Sequence, residues 1–285
     1  MTTLDAGTLD LVRRALAEDV GAGDVTTDAT VAAGAVGRAA IVAKAAGVIA
    51  GLDVAEAVFR ELDGDIVFGA RVAEGARVAA GAVVATVRGR ARAILTGERT
   101  ALNFLQRLSG IATAASRYAA ALEGTGARLL DTRKTAPGMR ALEKRAVALG
   151  GGANHRMGLW DMALVKDNHI AAAGGVARAV ERVKAARPDL AVEVEVTTLD
   201  GLREALAAGA DRVMLDNMSE ADMRDAVRAA RAAPRPPEIE ISGGVSLENV
   251  RALASLRPDF ISVGAVTHSA PALDLSLTLE TEGSG

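Results

Sequence analysis

From residue 127 onward the chain repeats one pattern: a short run rich in Val, Ile and Leu, then an Ala/Arg/Glu-rich stretch with apolar residues at helical spacing. The runs are ARLLDTR (127–133), MALVKDN (162–168), AVEVEV (191–196), DRVMLDN (211–217), EIEISGG (238–244) and FISVGAV (260–266). Stretches such as GVARAVERVKAAR and LDGLREALAAGA lie between most of them. Strands alternating with amphipathic helices make βα units and a parallel sheet. Six such units suit a (β/α) barrel better than a nucleotide-binding sheet, because no glycine-rich fingerprint opens the first of them.

In a barrel of this kind, side chains at the C-terminal ends of the strands face the active site. Those ends carry Arg133 and Lys134, then Lys166, Glu195, Asp216, Ser242-Gly243-Gly244 and Val263-Gly264-Ala265. The cations fall in one dense cluster: TRKTAP supplies Arg133 and Lys134, NHRMG supplies His155 and Arg156, and VKDNH supplies Lys166 and His169. The whole chain has a net charge of -3. Like charges repel at short range, so a plain surface would intersperse acids among them. Arg offers a planar fork and Lys a compact charge, so the cluster reads as a pocket for a polyanion, with a solvated basic face as the plainer alternative. Glu195 and Asp216, on successive strand ends, suit a Mg²⁺ that also touches a phosphate, or salt bridges to neighbouring lysines. Ser242 to Gly244 and Val263 to Ala265 let backbone N–H groups approach a phosphate, although glycines also end strands for conformational reasons alone. His155 is suited to orient a carboxylate or donate to it, whereas His169 and His268 read as structural. Trp160, Met157, Met162 and Met214 read as packing against strands.

The first half differs. Leu9, Val12 and Leu16 predict a helix over 9–19 with Thr8 as N-cap. Between Ala39 and Leu95, Val/Ala/Ile runs broken by glycines predict strands, with tight turns at Glu74-Gly75 and Ala80-Gly81. A carrier domain would need a modifiable lysine on an exposed turn, and none stands near these. ERTALNFLQR (98–107) predicts a helix with Arg99 in its first turn, where a cation is slightly unfavourable for the helix dipole.

Composition narrows the functions. With 285 residues the chain has room for two domains. The absence of cysteine rules out disulfides, thiolate metal sites and a cysteine nucleophile, and fits the cytoplasm. No apolar stretch approaches the ~20 residues needed to span a bilayer, and the N-terminus has no secretory h-region. Slight acidity and 2% aromatics speak against nucleic-acid binding.

ERTALNFLQRLSGIAT, DTRKTAPGMRALEKRAVALGGGANHRMGLWDMALVKDNHI, VEVEV, VMLDNMS, EISGGVSLENV and ISVGAVTHS together resemble bacterial quinolinate phosphoribosyltransferases, from EDVGAGDVTT to about Leu277. The resemblance implies an α/β fold: an N-terminal α/β sandwich domain over 1–110, then an incomplete (β/α) barrel of the type II phosphoribosyltransferase kind over 111–285, with the C-terminal tail packing back on the first domain. It implies a glycosyltransferase that joins quinolinate to phosphoribosyl pyrophosphate with Mg²⁺ in NAD biosynthesis, giving nicotinate mononucleotide, CO₂ and pyrophosphate. It also implies a homodimer, or a hexamer, with shared active sites. By the same resemblance, Arg99, Arg133, His155 and Arg156 hold the dicarboxylate, with Thr132 among the substrate contacts. Lys134 and Lys166 serve the place where the substrates meet. Glu195 and Asp216 meet the ribose hydroxyls and the Mg–pyrophosphate, directly or through water. The backbone of Ser242 to Gly244 and around Gly264 cradles the 5-phosphate. Two other readings remain: a paralogous transferase with another acceptor, such as the molybdenum-locus homologues, and a non-catalytic binder of phosphorylated metabolites.

Overall fold

A computed structural model describes residues 4–281; residues 1–3 and 282–285, the outer ends of the two expected domains, lie outside it. The described residues form two compact units, one gathering the chain up to 114, 136–150 and from 270 onward, the other 115–135 and 151–269.

The first unit opens with α1 (Ala6–Val20) and α2 (Val25–Thr30). The N-cap of α1 is Asp5 rather than the expected Thr8: Asp5 accepts from the backbone N–H and the hydroxyl of Thr8, which is itself buried inside the helix. There follow β1 (Val36–Ala43), β2 (Gly47–Val48), α3 (Leu52–Leu62), β3 (Val67–Ala70), β4 (Arg77–Val78), β5 (Val83–Arg90) and α4 (Ala91–Leu122). The chain's last strand, Leu275–Thr281, pairs antiparallel with β1, so the sheet runs in the order last strand, β1, β5, β3. Its inner face buries Ala39, Ile41 and Val87. The turns at Gly75 (φ 79) and Gly81 (φ 87) take the left-handed conformation that glycine adopts without a Cβ penalty. Between the two predicted strand runs, residues 52–62 form a helix that buries Val54, Ala55, Val58 and Phe59. One strand expectation fails here, at residues 91–95. Those residues belong to α4, which begins directly where β5 ends. Arg99 is therefore well inside a helix, where the dipole conflict expected of a first-turn cation does not arise.

In chain order there follow β6 (Arg128–Leu130), α5 (Arg140–Leu149, in the first unit), β7 (Ala163–Val165), α6 (Asp167–Ala173), α7 (Val176–Ala186), β8 (Val192–Val196), α8 (Leu199–Ala207), β9 (Arg212–Asp216), α9 (Glu220–Arg231), β10 (Glu238–Ser242), α10 (Val250–Ala254), β11 (Phe260–Ser262) and α11 (Ala265–His268), with Leu275–Thr281 as β12. All six strands of the second unit are parallel, in the order β6-β11-β10-β9-β8-β7. Its two edge strands, β6 and β7, are not paired to each other, which makes the barrel incomplete. Each strand alternates strictly. On β8, Val192, Val194 and Val196 are buried toward the helices, and Glu193 and Glu195 point to the other face. That face is closed at its N-terminal end by Phe260, with the guanidiniums of Arg128 and Arg212 4.7 and 4.2 Å from its ring centroid.

Candidate active site

The C-terminal ends of the parallel strands open into a cavity of about 620 Å³ in the second unit. The cavity brings together Thr132, Arg133, Lys134, His155, Arg156, Lys166, Glu195, Asp216, Ser242, Gly243, Gly244, Val263, Gly264 and Ala265. Of the residues expected in the site, Arg99 is not among those lining it; it is exposed on α4 in the first unit.

Local structure explains each position. Asp131, fully buried just past β6, accepts from the backbone N–H of His155 (2.8 Å) and from Asn154 Nδ2 (2.6 Å), which fixes the loop carrying His155 and Arg156. Asp161 closes the next turn by accepting from the N–H groups of Met157 and Gly158. Lys166 is the N-cap residue of α6, and its own N–H donates to His169 Nδ1 at 3.1 Å, so His169 acts in a cap. Lys166 Nζ donates to Glu195 Oε2 at 2.5 Å across two adjacent strands. Asp216 accepts from Asn217 Nδ2 at 2.8 Å. Gly243 (φ 88) and Gly244 (φ 60) are left-handed, and a Cβ on Gly243 would stand 2.2 Å from Asn217 Oδ1, so no larger residue fits there.

The electrostatics are those of an anion site. Burial, then the neighbouring charge of Arg133, lower the pKa of Arg156. Arg133 Nε is buried and has no hydrogen-bond partner. A buried donor with nothing to bond is costly, and two guanidiniums side by side add repulsion. An anion in the cavity relieves both.

At the floor of the cavity His155 and Glu240, which line it, meet Glu193, which does not. His155 Nε2 is 3.0 Å from Glu193 Oε2 and 3.4 Å from Glu240 Oε2, and both carboxylates are completely buried. Burial lowers the pKa of His155, but the two carboxylates outweigh it and push it up to about 9. Burial pushes Glu193 up to about 7, against the pull of His155. The other ring nitrogen decides the tautomer: Nδ1 accepts the backbone N–H of Arg156 at 2.8 Å, which needs a lone pair there. The two observations pull apart: the carboxylates favour a second proton on the ring, whereas the Arg156 N–H aimed at Nδ1 excludes one there. On that hydrogen bond His155 is assigned as neutral, with its single proton on Nε2, the nitrogen facing the carboxylates. The three side chains bring donor atoms within 4.8 Å of one another, a spacing that suits a metal. The proton on Nε2 removes that option, because a metal needs the lone pair.

The sequence matches the family model of the quinolinate phosphoribosyl transferase N-terminal domain over residues 24–109 and of the C-terminal domain over 111–278. The chain belongs to this family. It is 46% identical over 273 residues to the carboxylating nicotinate-nucleotide pyrophosphorylase of Mycobacterium leprae, covering 95% of this chain and 96% of that one. It is 40% identical over 268 residues to the probable enzyme of that name from Bacillus subtilis, covering 93% and 91%. Among solved structures, NadC from Streptococcus pyogenes superposes with a TM-score of 0.93 at 40% identity, covering 99% of this chain and 100% of that one. The nicotinate-nucleotide pyrophosphorylase of Francisella tularensis gives 0.93 at 42%, covering 98% of each.

In this member of the phosphoribosyltransferase family the cavity also includes Leu164, Met214, Asn217, Glu240, Val245, Ser262 and His268, none of which was expected in the site from the sequence. His268, expected to be structural, lines the cavity, with Nδ1 2.6 Å from Ser269 Oγ. Glu240 had a usable signal: two residues before Ser242 on one strand, it shares that residue's face. Met214 packs as expected, at 6% exposure, whereas Trp160, expected to pack, is 64% exposed. It sits in the turn closed by Asp161.

Proposed function

We propose that the chain transfers the phosphoribosyl group of phosphoribosyl pyrophosphate to quinolinate with loss of CO₂, giving nicotinate mononucleotide and pyrophosphate for NAD biosynthesis. The observation that supports this most directly is the pair Arg133 and Arg156, half-buried together with one guanidinium nitrogen unpartnered, in a cavity whose other wall is the glycine backbone of 243–244. Two ring carboxylates need paired cations, and a 5-phosphate needs close-approaching backbone.

Arg133, Arg156 and the partner-supplied Arg99 hold the dicarboxylate and aim its ring nitrogen at the ribose C1. Lys134 and Lys166 neutralise charge where the two substrates meet. Positioning and charge stabilisation supply the rate. As the nitrogen–C1 bond forms, the C1–O bond breaks and pyrophosphate leaves with its electron pair. The ring is then a pyridinium. The adjacent carboxylate leaves as CO₂, its bonding pair stays on the ring carbon beside the positive nitrogen, and that carbon takes up a proton. Glu195 and Asp216 stand beside the C1 that becomes electron-poor and near the ribose hydroxyls. Their oxygens are hard donors on neighbouring strand ends and fit Mg²⁺. When bound, Mg²⁺ would neutralise the developing pyrophosphate charge.

Carboxyl-labelled quinolinate is expected to release CO₂ only when phosphoribosyl pyrophosphate and Mg²⁺ are present. Release without phosphoribosyl pyrophosphate, or none with all components, defeats the reading. The molybdenum-locus alternative predicts turnover with another acceptor in the same assay.

For assembly, we infer a homodimer in which the exposed Arg99 completes the dicarboxylate site of a second copy. Mixing Arg99→Ala with Lys166→Ala should restore activity toward about a quarter of wild type by forming one intact site in each mixed dimer. No recovery after verified subunit exchange rejects it. No helix of the described residues is long and apolar enough to cross a membrane. With no cysteine in the chain, the cytoplasm is the compartment we propose, to be read by cell fractionation.

A further inference from the structure

Glu193 and Glu240 have no part in the reaction as described, yet they are the most costly side chains in the second unit. Both are completely buried, and the groups that approach their carboxylate oxygens are His155 and, at Glu240, Arg212. Carboxylates are kept out of water only where opposing charge or a donor compensates. What faces them is specific. His155 Nε2 lies 3.0 Å from Glu193 Oε2 and 3.4 Å from Glu240 Oε2. Arg212 on β9 reaches Glu240 at 3.7 Å. Above them stand the cavity arginines, and the charge of Glu193 supports the cationic form of Arg156 against the repulsion of Arg133. The ring of His155 links the two levels, because the nitrogen not facing the carboxylates accepts the Arg156 N–H.

We propose that Glu193 and Glu240 are positioning residues for the dicarboxylate half of the site: they hold His155 in the Nε2-protonated tautomer, so that Nδ1 fixes the Arg156 backbone, and Glu193 is in addition the built-in counter-charge of Arg156. On this account His155 acts on the substrate through Arg156 rather than by direct donation. If the carboxylates were lost, His155 would have no reason to keep its proton on Nε2. Nδ1 would then be protonated part of the time and would repel the Arg156 N–H. Arg156 would lose both its backbone anchor and its counter-charge, while the glycine wall at 243–244, on other strands, would be untouched. The inference rests on the function proposed above and extends it to two carboxylates at the floor of the cavity that the reaction as described does not use.

The test uses Glu193→Gln and Glu240→Gln in the full-length protein, which keep volume and shape and remove charge. In each variant the KM for quinolinate should rise about tenfold, with a smaller fall in kcat and a KM for phosphoribosyl pyrophosphate within about twofold of wild type, the split expected when a supporting partner rather than a reacting group is removed. A second readout is the ¹⁵N–¹H spectrum of the imidazoles, simple in a chain with three histidines. Wild-type His155 should show the Nε2–H tautomer, and the double Gln variant a mixture. Unchanged KM for quinolinate in folded variants overturns the inference, as do equal losses for both substrates. If the variants do not fold, the wild-type spectrum decides alone: a proton on His155 Nδ1 is fatal. Wild-type turnover of quinolinate is measured first. Its absence removes the function reading itself, whereas normal wild-type turnover with indifferent variants removes only this inference.

Discussion

At the N-terminal end of the parallel sheet, Arg128 and Arg212 both lie against the Phe260 ring, and Arg212 also forms a two-nitrogen contact with Glu238 on the neighbouring strand. At the C-terminal end of the same sheet, Arg133 and Arg156 again form a pair. Here no ring separates them, Arg133 Nε has no partner, and the charge of one depresses the pKa of the other. Both ends bring together two arginines that are distant in the chain. One end is satisfied by the chain itself and is closed; the other is left short of anionic partners and is open. A cation supplied with internal partners is structure, and a cation denied them is a binding site whose ligand completes the fold's own electrostatics.

The sharpest way to break this comparison is at the closed end. Phe260→Ala removes a buried ring and two cation–π contacts, and should cost about 3–5 kcal/mol of stability, the usual range for a large buried aromatic. Activity per folded molecule should be kept. Denaturant unfolding followed beside turnover reads both quantities, and a change in turnover with little loss of stability would show that the closed end takes part in catalysis.

At the open end the balance should invert. Asp216→Asn and Glu195→Gln should each leave the melting temperature within a few degrees of wild type and lower turnover by at least ~10², the scale for removing a preorganised electrostatic group. Near-normal turnover in both variants at saturating Mg²⁺ would take these carboxylates out of the chemistry. A smaller effect tests selectivity within the cavity. Arg156→Ala should weaken quinolinate binding by roughly 1.5–3 kcal/mol, the worth of hydrogen bonds to a charged group, and phosphoribosyl pyrophosphate binding much less. Calorimetry with each ligand separately reads the difference, and equal losses would mean that the cavity is not divided as proposed.

Much of the open end is legible because strand periodicity is local. The alternation VEVEV alone places Glu195 on the opposite face from its valines, and successive runs place Lys166, Asp216 and Ser242 at equivalent strand ends. The helical start of α4 was not legible in the same way. β5 passes into α4 between Arg90 and Ala91 with no Ser, Thr, Asp or Asn at the junction, so the usual N-terminal signal is missing. The helix at 52–62 gave no start signal for a related reason: it is capped by a left-handed glycine, Gly51, rather than by a side chain. Trp160 misled by composition, since most tryptophans pack, and this one stands on a turn held by Asp161.

By itself the sequence determined the parallel βα order, the face each strand residue takes and the concentration of cations between Arg133 and Lys166, because all three follow from spacing along the chain. Only the tertiary structure decided which of those charges are satisfied. Glu193 and Glu195 are two residues apart on one strand and share a face, yet one pairs with a lysine at the cavity wall and the other is sealed against an imidazole from a loop nearly forty positions earlier. Partner choice depends on which distant segments meet and on how much water they exclude, and those are properties of packing that no local pattern carries.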